Sequence, residues 1–132
     1  MKQKYSMGLD FGTNSCRCVI AGLSDGRELA SGVFPYPSGE MGILLDADDP
    51  DVARQNPADY LKAVATVVPE TLKQAADNDP DFNPEDVEGI GVDATGSTPM
   101  PVDSRGKPLG LLPEFNNNLN AMAWLWKDHT SH

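Results

Sequence analysis

Asp10 closes a short apolar run, and Gly12-Thr13-Asn14-Ser15 follows almost at once. Each of these residue types suits an anion. Glycine lets the backbone come close to a ligand. Consecutive backbone N–H groups in such a turn converge on negative charge, and Thr13, Asn14 and Ser15 add side-chain donors. Asp10 is placed to hold Mg2+, directly or through water, which would offset phosphate charge. Arg17, two residues past the turn, is close enough to address the same phosphates. The same residues suit a plain hairpin in which Asp10 only caps the turn, and this stretch alone does not choose between the two. It is not a P-loop, since no lysine follows the glycine and no helix begins there.

The elements that must carry these residues can be read around them. Residues 5–11 and 15–22 read as strands joined by the GTNS turn. A second turn, Ser24-Asp25-Gly26-Arg27, leads to a third strand at 28–36, so the chain opens with an antiparallel meander. Pro35 and Pro37 end it. Cys16 and Cys18 fall on one face of the second strand, where they read as buried thiols rather than as a disulfide framework or a zinc site. Residues 38–55 are acidic and irregular, as in a surface loop. Asn56-Pro57 is an N-cap followed by proline at the first helical position. The apolar spacing of Tyr60, Leu61, Val64, Val67, Val68, Leu72 and Ala75 predicts an amphipathic helix over 57–76, which Pro69 should kink or split.

Beyond an Asp/Asn/Pro-rich linker, residues 87–95 (VEGIGVDAT) predict a core strand. GSTPMPVD is expected to run on into another strand, with DSRGKPL as its exit turn. Residues 119–127 (LNAMAWLWK) predict the start of a last helix. Asp93 lies within the apolar run, where a carboxylate is costly unless it is paired. It is either a hydrogen-bond anchor or a site residue.

GLDFGTNS at the head of a meander resembles the first phosphate motif of the actin-like ATPase fold. GIGVDATGSTPMPVDSRGKPL, at 89–109, resembles the substrate-side segment of the FGGY carbohydrate kinases. The DATGST turn, PEF at 113–115 and LWKDHT at 125–130 are most similar to the ribulokinase branch of that family. The resemblance runs from Met7 to Thr130. It implies an α/β chain with the actin-like ATPase (ribonuclease H-like) fold, of which residues 1–132 form part of the N-terminal lobe. The phosphate hairpin would be 7–22 and the sugar-side turn 92–99, with the C-terminal lobe absent.

The resemblance further implies ATP-dependent phosphorylation of L-ribulose to L-ribulose 5-phosphate, as in arabinose catabolism, with ATP and Mg2+ as cofactors. Gly12, Thr13, Asn14, Ser15 and Arg17 would bind nucleotide phosphates, and Asp10 the metal. Asp93, Ala94, Thr95, Gly96, Ser97 and Thr98 would meet the sugar, with hydroxyl donors and acceptors on three of them. Trp126 would wall the sugar pocket, and Asp128 would bind a hydroxyl or orient a neighbour. The family's catalytic base and adenine pocket lie beyond these residues. The chain is therefore expected to be an N-terminal fragment that is inactive alone. The alternatives are a non-catalytic sugar- or nucleotide-binding fragment, or another FGGY pentulose or polyol kinase.

The bulk properties agree with a small-molecule site. Twenty acidic against ten basic residues give a formal charge of −10, which disfavours nucleic acid or an anionic membrane as partner. No apolar stretch approaches the roughly 18 residues of a membrane span, and the N-terminus has no apolar signal region. A cytoplasmic protein is expected. A half-domain exposing core surface is also expected to self-associate.

Overall fold

A computed structural model describes residues 2–131. The three predicted strands form as β1 (Tyr5–Phe11), β2 (Ser15–Gly22) and β3 (Glu28–Pro35), paired antiparallel in sequence order. Alternation builds them. Tyr5, Met7 and Leu9 of β1 and Cys16, Cys18 and Ile20 of β2 are buried on one face. Both thiols are free, and burial raises them, Cys16 to about 11.

The helix α1 (Pro57–Asn78) covers that face over β2 and β3. Asn56 caps it by accepting from the Ala58 N–H, as its sequence predicts. The buried stripe is Ala63, Val67, Thr71 and Ala75, narrower and smaller than the predicted one, and Leu61 is 61% exposed. Small residues win because α1 lies close against Gly32 of β3. A Cβ at Gly32 would sit 2.7 Å from Thr71 Oγ1. Thr71 tolerates burial by donating to the Val67 carbonyl. Pro69 neither splits nor ends the helix, because it lies on the exposed face, where water reaches the carbonyl its ring leaves unpaired.

The chain then passes a 3-10 turn (Pro84–Asp86) and enters β5 (Val87–Ala94), which pairs parallel with β1. The sheet order is β3-β2-β1-β5. The predicted core strand is thus an edge strand. Ile90 and Val92 share the helix-side face with Met7 and Leu9, but α1 does not reach them, and they are 62% and 67% exposed.

Two further expectations give way. GSTPMPVD forms no strand: Pro99 and Pro101 lack donors, and only one bridge, Val102 to Pro108, closes around the Gly106 turn. No helix covers 119–127. A 3-10 turn (Leu119–Ala121) leads into β6 (Ala123–Trp124), which pairs with β4 (Arg54–Gln55), a strand inside the predicted loop. From Ala123 onward burial alternates, with Ala123 and Leu125 buried and Trp124 and Trp126 more exposed, which is a strand period rather than a helical one.

Candidate functional site

Because β1 and β5 are parallel, their carboxyl ends lie side by side, and the two polar turns that follow them are neighbours. The Thr95 N–H donates to the Phe11 carbonyl at 3.1 Å, joining one turn to the other. Across the same sheet row, Asp10 pairs with Asp93 on one side and with Arg17 on the other. All three stand on the face that α1 leaves open. They line a groove of about 470 Å3 with Gly8, Gly91 and Val19. Asp93 is exposed and accepts from its neighbour's N–H, Ala94, at 2.9 Å, so it meets none of the burial cost anticipated from its apolar strand.

The first turn is tightly made. The Gly12 N–H donates to the Ser15 carbonyl at 2.8 Å, and a Cβ at Gly12 would lie 3.2 Å from that oxygen. The Asn14 carbonyl accepts from the Tyr36 N–H, and its side-chain amide donates to the Met41 carbonyl at 2.7 Å. One of the Asn14 donors is therefore already in use. Underneath, buried Gln55 donates to the carbonyls of Gly12 and Thr13 at 3.3 and 2.8 Å.

The second turn, 94–98, is held by a hydrogen bond between the Thr95 and Thr98 hydroxyls, 3.1 Å apart, and Ser97 takes a positive φ of 54°. Ala94, Thr95 and Thr98 border a hollow of about 290 Å3 whose other walls are Phe11, Tyr60 and Met100. At Gly96 a Cβ would meet nothing within 4 Å, so that edge is open. Hydroxyls on one side and aromatic rings on the other make a surface that matches a polyol's alternating O–H and C–H faces. Burial raises Tyr60 to about 12, so its phenol stays protonated and donates to Gln55.

Trp126, 51% exposed, stands at the first turn instead of closing the second. Its indole N–H donates to Thr13 Oγ1 at 3.1 Å. Asp128 turns inward. One oxygen accepts from Arg54 Nε at 2.7 Å and from the Ala53 N–H, and the other from the Thr130 N–H and hydroxyl. Its acceptors are fully used, so of the two roles expected of it, orienting neighbours is the one its surroundings match. Burial opposes the charge of Asp128, but these hydrogen bonds outweigh it and hold the carboxyl at about 2. Arg54 is itself buried, with its guanidinium 3.7 Å from the centre of the Trp124 ring.

Among the described residues no group of three or more His, Cys, Asp and Glu could hold a metal. Mg2+ bound beside phosphates needs only one or two carboxylates, with water and phosphate oxygens completing its shell. Asp10, exposed at the end of β1, fits that requirement. Gln55, Tyr60 and Arg54 were missed from sequence. Their contacts are made by pairing β4 with β6 and by tucking both under the first turn, and no local spacing announces either.

Residues 5–118 match the family described as "FGGY family of carbohydrate kinases, N-terminal domain". Curated relatives include a ribulokinase of Geobacillus thermodenitrificans, 41% identical over 99% of this chain and 23% of its own length. A ribulokinase of Vibrio parahaemolyticus is 43% identical over 98% of the chain and 22% of its own length. The chain thus spans under a quarter of the relatives it matches. In structure it is similar to a gluconate kinase from Lactobacillus acidophilus, with TM-score 0.67, 17% identity, and coverage of 96% of this chain and 20% of that one. A xyloylose kinase from Brucella ovis gives TM-score 0.65 at 18% identity, covering 94% and 21%. The fold is the mixed α/β, actin-like ATPase fold of these kinases.

Proposed function

From a chain that belongs to the FGGY family of carbohydrate kinases, we propose that these residues form the phosphate turn and part of the sugar pocket of an ATP-dependent L-ribulose kinase. The observation that carries this reading is the hydrogen bond from the Thr95 N–H to the Phe11 carbonyl, which sets the anion-type turn and the hydroxyl-lined turn edge to edge. Transfer of a phosphoryl group needs that adjacency, since the attacking hydroxyl must lie in line with the γ-phosphate.

In the proposed reaction the sugar's 5-hydroxyl oxygen bonds to the γ-phosphorus, the bond from that phosphorus to the bridging oxygen of ADP breaks, and the hydroxyl proton passes to a base. None of the residues described here is assigned as that base. Thr13 and Ser15, with the backbone of 12–15, bind and orient the phosphates, and Arg17 adds positive charge beside Asp10. Asp10 would hold Mg2+, which spreads phosphate charge when bound. Thr95, Ser97 and Thr98 hydrogen-bond sugar hydroxyls, with Ala94 and Gly96 leaving room for backbone approach. Asp93 stands at the groove between the two turns, and Trp126 screens the Thr13 side from water. Asp128 is given a positioning role. A cytoplasmic location is the reading that fits a supply of ATP for this reaction.

Sugar-dependent release of ADP from the native-length polypeptide tests the proposal. L-Ribulose is expected to be the best substrate among L-ribulose, D-ribulose and ribitol. Absence of turnover with any of them, or a clear preference for another, overturns it. The 132 residues by themselves are expected to release no ADP.

A further inference from the structure

We propose that Gln55 is a positioning residue that aims two backbone N–H groups, those of Thr13 and Asn14, outward at the phosphates. This rests on the reading of 12–15 as a phosphate turn. Gln55 is 1% exposed, in β4, directly before the helix cap Asn56 and paired with Ala123. Its side chain is therefore fixed at its root.

Every polar atom of that side chain is used. Nε2 donates to two consecutive carbonyls, Gly12 and Thr13, and Oε1 accepts from the Tyr60 hydroxyl at 2.5 Å. Carbonyls only accept, so the nitrogen end must face the turn. A buried amide with all its bonds made is a precise clamp, and one with any missing is costly.

The clamp has a directional consequence. In a trans peptide the C=O and the following N–H point opposite ways, and the chain has no cis bond among the described residues. Holding the Gly12 carbonyl inward turns the Thr13 N–H outward. Holding the Thr13 carbonyl inward does the same for Asn14. Neither N–H has an acceptor among the described residues. Thr13 Oγ1 accepts from Trp126, which leaves its own O–H to donate as a third outward group. Tyr60 also walls the hydroxyl-lined hollow, so the clamp spans the two halves of the site.

The test compares binding of a non-hydrolysable MgATP analogue with binding of adenosine, by calorimetry on the native-length polypeptide. Gln55→Met keeps the length and removes both donors. It should weaken the ATP analogue about tenfold while leaving adenosine within twofold. Tyr60→Phe removes a single hydroxyl and keeps both Gln55 donors on the turn, so it is the milder change, and it should weaken the analogue about threefold on the same criterion. A general structural defect would weaken both ligands together. If the analogue and adenosine fall in parallel, or neither changes, the role of Gln55 is overturned while the kinase reading stands. If the unaltered protein binds the analogue no better than adenosine, the phosphate turn itself fails, and both go.

Discussion

Asp128 and Arg54 are each held by the other in a buried pair, at 5% and 2% side-chain exposure. Removing one partner leaves the other charged and unpaired, which costs roughly 3–5 kcal/mol. Asp128→Ala is therefore expected to lower stability by that order in urea unfolding, and to loosen Trp124, over which Arg54 lies. The carboxyl also sets an acid limit. Its folded value, about 2, lies below its ordinary 3.8. A depressed acid stabilises above its unfolded value and loses that stabilisation as pH falls through the folded one. About 2 kcal/mol should vanish between pH 5 and pH 2, and Asp128→Asn should flatten that stretch of the stability–pH curve. At the site itself, Asp10→Asn should lower sugar-dependent ADP release at least about a hundredfold, by analogy with loss of a single charge-stabilising group, with little change in melting temperature because Asp10 is exposed. An unchanged rate would remove Asp10 from the metal role.

At the scale of elements, the meander was legible because alternation and turn residues agree over 5–35, each apolar face matching its neighbour's. The helix was legible from its cap, and its buried face in part: Val67 and Ala75 are buried, and Tyr60, Val68 and Leu72 pack against the core, as their spacing predicts. Ala63 and Thr71, which the apolar spacing passed over, are buried as well, and Thr71 and Val67 lie close against Gly32. Gly32→Ala should therefore destabilise the protein by about 1–3 kcal/mol, since overpacking cannot be relieved where Thr71 is tied to the Val67 carbonyl. A fall in melting temperature checks this, and the double change with Thr71→Ala should recover part of it. The last predicted helix misled because Met122, Trp124, Leu125 and Trp126 are bulky enough to suggest a helical face, whereas burial alternates from Ala123 to Trp126 and Ala123–Trp124 pairs with Arg54–Gln55. Gln55 and Arg54 were illegible because their partners lie about 42 and 74 positions away along the chain.

For the whole molecule, the parallel edge strand β5 is the feature that most shapes behaviour. Parallel strands are normally covered on both faces, yet α1 stops short of β5, leaving Ile90 and Val92 over half exposed beside buried Met7 and Leu9. The 94–98 turn hangs from the end of this bare strand, so whatever covers β5 also steadies those residues. Relatives several times longer have ample further chain to do so. The 132-residue chain alone is therefore expected to associate as its concentration rises, despite a formal charge of −10. Sedimentation at rising concentration reads this directly. The double variant Ile90→Lys with Val92→Lys should remain monomeric, because both side chains already face solvent and the change leaves the buried stripe intact. If that variant associates as strongly as the unaltered chain, the bare face of β5 is not the adhesive surface. Monomeric behaviour of the unaltered chain at every concentration would show that backbone edge and apolar face together are too small to hold two copies.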